Sequence, residues 1–248
     1  MEAIQSEKQT FVLVHGAWAG PFSWQMIKNA LENSGNEVIA LQLPGHGTDN
    51  TPAGTLHMDS YISYVSEAIE KIGRRVILVG HSLAGMIISG VAEKIPELVE
   101  KLVYVAGYVP QNGQSAYVIS LEDKQSLLGA SLLVSDDQSE FDIKRDDIIN
   151  IVCQDGTQDV KELILANYKA EPAIPFSDPI SLSDENFGSV EKYYIETLQD
   201  HGIGNELQKQ MIARAKIKNT YQLNSGHTPL LSRPEELSKI LQEIARKK

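Results

Sequence analysis

The stretch Arg75-Val76-Ile77-Leu78-Val79-Gly80-His81-Ser82-Leu83-Ala84-Gly85-Met86-Ile87-Ile88 decides the fold. Val76 to Val79 are four branched apolar residues with the length of a buried strand, and Met86 onward reads as an apolar helix face. Between them Ser82 is flanked at minus two by Gly80 and at plus two by Ala84. A serine held on a strained strand-to-helix turn needs such neighbours, because bulk at either position collides with adjacent backbone. Glycine is usual at plus two, and alanine is the next smallest choice. The helix that begins there aims free N–H groups at any negative charge developing beside the hydroxyl. The stretch therefore predicts a nucleophilic serine at the end of a buried strand.

Working outward, strand candidates recur at Phe11 to Val14, Val38 to Leu41, Leu102 to Ala106, Tyr193 to Ile195 and Thr220 to Leu223. Helical patterns at Trp24 to Ser34, Asp59 to Ile72, Leu83 to Lys94 and Glu235 to Arg246 separate or follow them. Alternation of this kind predicts an α/β fold, a mostly parallel sheet of about six strands with helices on both faces. Such sheets carry their functional groups at the carboxyl ends of the strands. The alternation breaks after the fourth core strand. From about Gln111 the pattern shows helical pieces (Leu121 to Leu133, Phe141 to Val152, Asp159 to Lys169) and then Pro172, Pro175 and Pro179. We expect residues 1–110 and 188–248 to form the core and residues 111–187 a helical cap.

A serine hydroxyl is a weak nucleophile and needs a base, which in turn needs a carboxylate to fix its tautomer. Of the six histidines, His227 lies in a turn just after the last strand candidate, placed to reach back over the sheet. Asp200 follows the penultimate strand and its turn, whereas Asp184 and Glu185 precede that strand and belong to the wrong end of the sheet. The candidate set is thus Ser82, Asp200 and His227. An oxyanion hole would use the backbone N–H of Leu83 and that of Ala17, in the His15-Gly16-Ala17-Trp18 loop after the first strand. Trp18, His81, Leu83 and Tyr108 are expected around the substrate pocket, and His15 is read as packed structure. His46, His57 and Asp49 lack metal-ligand spacing, and no dinucleotide fingerprint is present, so no metal or cofactor is expected.

Bulk composition bounds the rest. The chain has 248 residues, enough for one core with an insertion, and a formal charge of −11, which argues against nucleic-acid or anionic-membrane partners. Its one cysteine, Cys153, suits a reducing compartment. The polar Met1 to Thr10 stretch has no signal-like apolar segment, and no apolar run approaches membrane-spanning length. A cytoplasmic monomer or homodimer acting on a small molecule is expected.

With these residues in place, the chain resembles the α/β-hydrolases. The matching segments are Phe11 to Trp18 (FVLVHGAW), Val76 to Gly85 (VILVGHSLAG), Tyr104 to Pro110 (YVAGYVP), Tyr193 to Ile203 (YYIETLQDHGI) and Gly226-His227. The order Ser, Asp, His along the chain is also theirs. More narrowly, it is similar to the branch of plant methyl-ester esterases, hydroxynitrile lyases and small bacterial aryl-ester or pyrethroid esterases. That resemblance implies Ser82 as nucleophile, Asp200 as acid and His227 as base. Lyases of the branch carry a lysine after the histidine and a threonine after the first loop histidine; here those positions are Thr228 and Gly16. The expectation is a serine hydrolase of small, largely apolar carboxylic esters. A hydroxynitrile lyase, a C–C bond hydrolase and a non-catalytic ligand sensor remain as alternatives.

Overall fold

The computed structural model describes residues 8–247, so most of the polar stretch read for a signal segment lies outside the described residues. Six strands form one sheet: β1 (Thr10–Val14), β2 (Glu37–Leu41), β3 (Val76–His81), β4 (Val99–Val105), and, after the insertion, β8 (Glu191–Thr197) and β9 (Asn219–Leu223). Their order is β2-β1-β3-β4-β8-β9, and every adjacent pair is parallel. All six expected strands are present, with no end shifted by more than three residues. β3 sits in the interior between β1 and β4, and its residues are all buried, which explains the unbroken apolar run Val76 to Val79.

Side-chain alternation splits the core in two. Val12 and Val14 of β1, with Val76 and Leu78 of β3, face one cluster; Phe11 and Leu13, with Ile77 and Val79, face the other. Helices α1 (Gln25–Asn33) and α11 (Pro234–Arg246) cover the second face through Ile27, Leu31, Leu237, Leu241 and Ile244. Helices α2 (Met58–Ile72) and α3 (Ala84–Lys94) cover the first, through Tyr61, Val65, Met86, Ile87 and Val91. Between β8 and β9 lies α9 (Asn205–Arg214), which the hydrophobic pattern did not single out because only Leu207, Gln208 and Met211 are buried. A short turn of helix, α10 (Pro229–Ser232), precedes α11.

The segment between β4 and β8 departs from the purely helical cap expected of it. Helices α4 (Ala116–Ser120), α5 (Leu128–Ser131), α6 (Ile148–Val152), α7 (Gln158–Asn167) and α8 (Ile174–Ser177) are joined by a small antiparallel sheet, β5 (Leu132–Val134), β6 (Glu140–Ile143) and β7 (Glu171–Pro172). Only the helix expected at Asp159 to Lys169 matches closely. Leu121 to Leu133 fails as one helix: residues 121–127 run through turns in which Asp123 Oδ1 accepts from the Gln125 and Ser126 N–H groups, α5 covers only Leu128–Ser131, and β5 leaves at Leu132 for a tight turn. That turn is closed by Asp137 Oδ1, which accepts from Ser135 and Ser139, with Gln138 at φ 58°. Three- and four-residue strands are too short to display their period against a helical one. Among the described residues no helix is long and apolar enough to cross a membrane.

Candidate active site

The carboxyl ends of β1, β3, β8 and β9 bring the candidate residues together. Ser82 follows β3 at φ +55°, a left-handed conformation that costs a side-chain-bearing residue roughly 1–3 kcal/mol. Its backbone is held there: the Ser82 N–H donates to the Val105 carbonyl, and the Ser82 carbonyl accepts from Gly85 and Tyr108 N–H groups. The small flanks are required. A Cβ on Gly80 would lie 2.8 Å from the Ala84 carbonyl oxygen, and one on Gly85 would lie 2.1 Å from the Tyr108 carbonyl oxygen. The positions that admit no side chain are therefore Gly80 and Gly85.

His227 stands between the other two groups. Its Nε2 lies 2.9 Å from Ser82 Oγ and its Nδ1 lies 2.9 Å from Asp200 Oδ2. Because Asp200 can only accept here, Nδ1 carries the proton and Nε2 is left to accept from the serine hydroxyl. Asp200 is itself held by four other donors: Thr197 Oγ1, Gln208 Nε2, and the Gly202 and Ile203 N–H groups. Thr197 and Gln208 were not picked out from the sequence. Thr197 could have been suspected as a hydroxyl at a strand end near an expected carboxylate, whereas Gln208 sits on the unrecognised α9. Gly202 presses against the imidazole, since a Cβ there would come within 2.9 Å of His227 Cγ.

The loop after β1 passes directly over the serine. A Cβ on Gly16 would lie 2.8 Å from Ser82 Cβ, so only glycine admits this approach. Ala17 N–H and Leu83 N–H take no part in the loop and turn hydrogen bonds among the described residues. Both are thus available to a developing oxyanion.

Of the expected pocket residues, Trp18, His81 and Tyr108 line the cavity beside Ser82, together with Phe22, Ile143 and Phe176. Leu83 does not. As the residue leading into α3, it turns its side chain into the main core, where it is 2% exposed. The cavity is small, about 40 Å³. Its histidine neighbour His81 donates from Nε2 to the His227 carbonyl, and burial, with His227 nearby, holds its pKa down at about 3. His81 is therefore a neutral brace for the His227 loop. Cys153 is free and buried, its thiol pushed up to about 12 by burial and Asp155, so it is no nucleophile. Among the described residues no group of three His, Cys, Asp or Glu side chains could hold a metal ion.

The sequence profile of the alpha/beta hydrolase family matches residues 11–240. This chain belongs to that family. Among its relatives, a proposed chloroplastic methylesterase of Arabidopsis thaliana (methylesterase 11) is 33% identical over 97% of this hydrolase and 65% of its own length. This chain thus spans less than two thirds of that relative. Salicylic acid-binding protein 2 of Nicotiana tabacum is 29% identical over 97% of the hydrolase and 98% of the relative. Among solved structures, tomato methylketone synthase I in complex with 2-tridecanone superposes with a TM-score of 0.86 at 25% identity, covering 96% and 98% of the two chains. The relatives thus include plant proteins of the methylesterase branch.

Proposed function

We propose that this hydrolase is a cofactor-free serine esterase of small, largely apolar carboxylic esters. The observation that carries it is the unbroken chain from Ser82 Oγ through His227 to Asp200, in a site where the neighbouring Ala17 and Leu83 N–H groups take no part in the loop and turn hydrogen bonds. Ser82 Oγ attacks the ester carbonyl while its proton passes to His227 Nε2. The new oxyanion is held by Ala17 and Leu83 N–H. The C–O bond breaks as His227 returns the proton to the leaving alkoxide. Water, deprotonated by His227, then attacks the acyl-enzyme and releases the acid, restoring Ser82. Asp200 keeps His227 in the required tautomer throughout.

The methylesterase name of the Arabidopsis relative supports an ester as the bond cleaved. Against a cyanide-releasing lyase, the cavity lining includes no lysine or arginine, and Thr228 spends its hydroxyl on the Val152 carbonyl. We divide the molecule functionally into residues 1–110 and 188–248, which carry the reacting groups, and residues 111–187, which roof them. The buried thiol of Cys153 favours a reducing compartment, the cytoplasm on our reading, and cell fractionation would test that. Labelling with a fluorophosphonate followed by peptide mapping tests the central assignment. One adduct per chain, on Ser82, is expected; an unlabelled folded protein, or an adduct elsewhere, contradicts it.

A further inference from the structure

Three buried titratable side chains lie beneath the loop after β1 without touching Ser82: His15, His46 and Glu171. Each is at most 1% exposed, an unusual concentration of polar groups for a protein interior. Glu171 belongs to the insertion, His46 to the loop after β2, and His15 to the end of β1. Two of their hydrogen bonds end on consecutive peptide groups of the loop.

The first is the Gly16–Ala17 peptide. His15 Nε2 accepts the Leu43 N–H at 3.2 Å, so the proton resides on Nδ1, which donates to the Gly16 carbonyl at 2.9 Å. Burial, with His46 next to it, holds the His15 pKa down at about 3, in keeping with that single-proton form. In a trans peptide the carbonyl and the following N–H point in opposite directions in one plane. Fixing the Gly16 oxygen therefore aims the Ala17 N–H, the donor assigned to the oxyanion.

The second is the Ala17–Trp18 peptide. Glu171 Oε2 accepts the Trp18 N–H at 2.8 Å, and Trp18 sits at φ +55°. A left-handed tryptophan needs something to hold it. The same Oε2 lies 2.8 Å from His46 Nε2, while His46 Nδ1 donates to the Pro44 carbonyl at 2.9 Å. Both imidazole nitrogens thus face acceptors, which matches an imidazolium paired with a carboxylate. Trp18 is further pinned by its indole N–H, which donates to the Phe141 carbonyl of the insertion.

We propose that His15, His46 and Glu171 are positioning residues that aim the Ala17 N–H, so that the insertion, through Glu171, completes the oxyanion hole rather than only covering it. This rests on the esterase reading of the same site. Glu171 does not line the cavity and reaches the site only through the Trp18 N–H, so its effect should fall on turnover more than on substrate affinity.

The test compares wild type with Glu171→Ala, Glu171→Gln and Asp178→Ala. Asp178 is a control: it ties the insertion to α2 through His57 Nδ1 and the Met58 N–H but makes no contact with the loop. With p-nitrophenyl acetate, Glu171→Ala should lower kcat roughly 100-fold with KM within about threefold, since loss of one oxyanion donor costs about 10²–10³ in kcat. Glu171→Gln keeps an acceptor oxygen for Trp18 and should recover about tenfold of that loss. Asp178→Ala should lower thermal stability and leave kcat at the wild-type value. A folded Glu171→Ala with wild-type kcat overturns the proposal, as does an equal loss of kcat in Asp178→Ala. Amide hydrogen exchange at Ala17 and Trp18, read by NMR in wild type and Glu171→Ala, supplies a readout independent of turnover. Faster exchange in the variant is expected, and unchanged exchange overturns the proposal. A wild type that hydrolyses no ester would defeat the esterase reading, and exchange alone would then decide the positioning.

Discussion

At the scale of single residues, the candidate site is set by where side chains are absent as much as by where they are present. Gly202 leaves only enough room for the imidazole of His227. Gly202→Ala should displace the ring and lower kcat roughly 10- to 100-fold, because small misplacements of a reacting group are costly; steady-state kinetics on the folded variant would check it. Asp200→Asn tests the opposite kind of change, one that keeps shape but reverses polarity. An amide NH₂ facing His227 Nδ1 favours the wrong tautomer and should lower kcat by roughly 10⁴. Retention of more than a tenth of wild-type kcat would remove Asp200 from the mechanism. Ser82, His227 and Asp200 were legible in the sequence because each follows a strand and each has a restricted set of chemically suitable neighbours. Glu171 and Gln208 were not, since their partners lie 125 and 8 residues away along the chain and nothing local marks a polar side chain that will be buried.

Elements obey the same division. The core strands and helices could be read because each buries a face several residues long, so period two or period 3.6 had room to show. In the insertion, β5 and β6 span three and four residues, and their pairing depends on a turn held by Asp137 rather than on hydrophobic alternation. The C-terminal helix carries a less visible requirement. Lys101 of β4 is 3% exposed, and its ammonium donates to the Ile244 and Lys247 carbonyls, satisfying the last turn of α11. Lys101→Met removes those donors while keeping the aliphatic stem. Unfolding in urea should show a loss of about 1.5–3 kcal/mol, the range for hydrogen bonds to charged groups. Turnover should be unchanged, because α11 lies on the sheet face away from α2 and α3. An unchanged urea midpoint would show that water replaces the ammonium without loss.

For the whole molecule, pH exposes how many titratable groups the fold buries. His15 and His81 have folded pKa values depressed to about 3 from 6.5, so between those limits the unfolded chain binds both protons and the folded chain binds neither. Their contribution to stability is full above pH 6.5 and is lost as pH falls toward 3. His46 runs the other way: although burial opposes it, Glu171 raises its pKa, so its contribution is full below pH 6.5 and is lost as pH rises through the folded value. Near pH 5, unfolding should therefore take up about two protons, and unfolding free energy should fall by roughly 3 kcal/mol per pH unit on acidification. A flat profile between pH 6 and 4.5 would mean that these rings are hydrated or relaxed.

On the proposed esterase reading the acyl group enters the apolar cavity beside Ser82, where each poorly accommodated methylene is worth about 1–3 kcal/mol. Wild type should prefer p-nitrophenyl acetate to the octanoate by at least about tenfold in kcat/KM, and Phe176→Ala should narrow that gap. Above all these stands the claim that Ser82 performs covalent ester hydrolysis. The most direct measurement is turnover of p-nitrophenyl acetate by wild type and Ser82→Ala at equal concentration, with both shown to be folded. We expect turnover in the wild type and a loss of roughly six orders of magnitude, to the background rate, in the variant. Activity in Ser82→Ala within a few-fold of wild type would contradict the account.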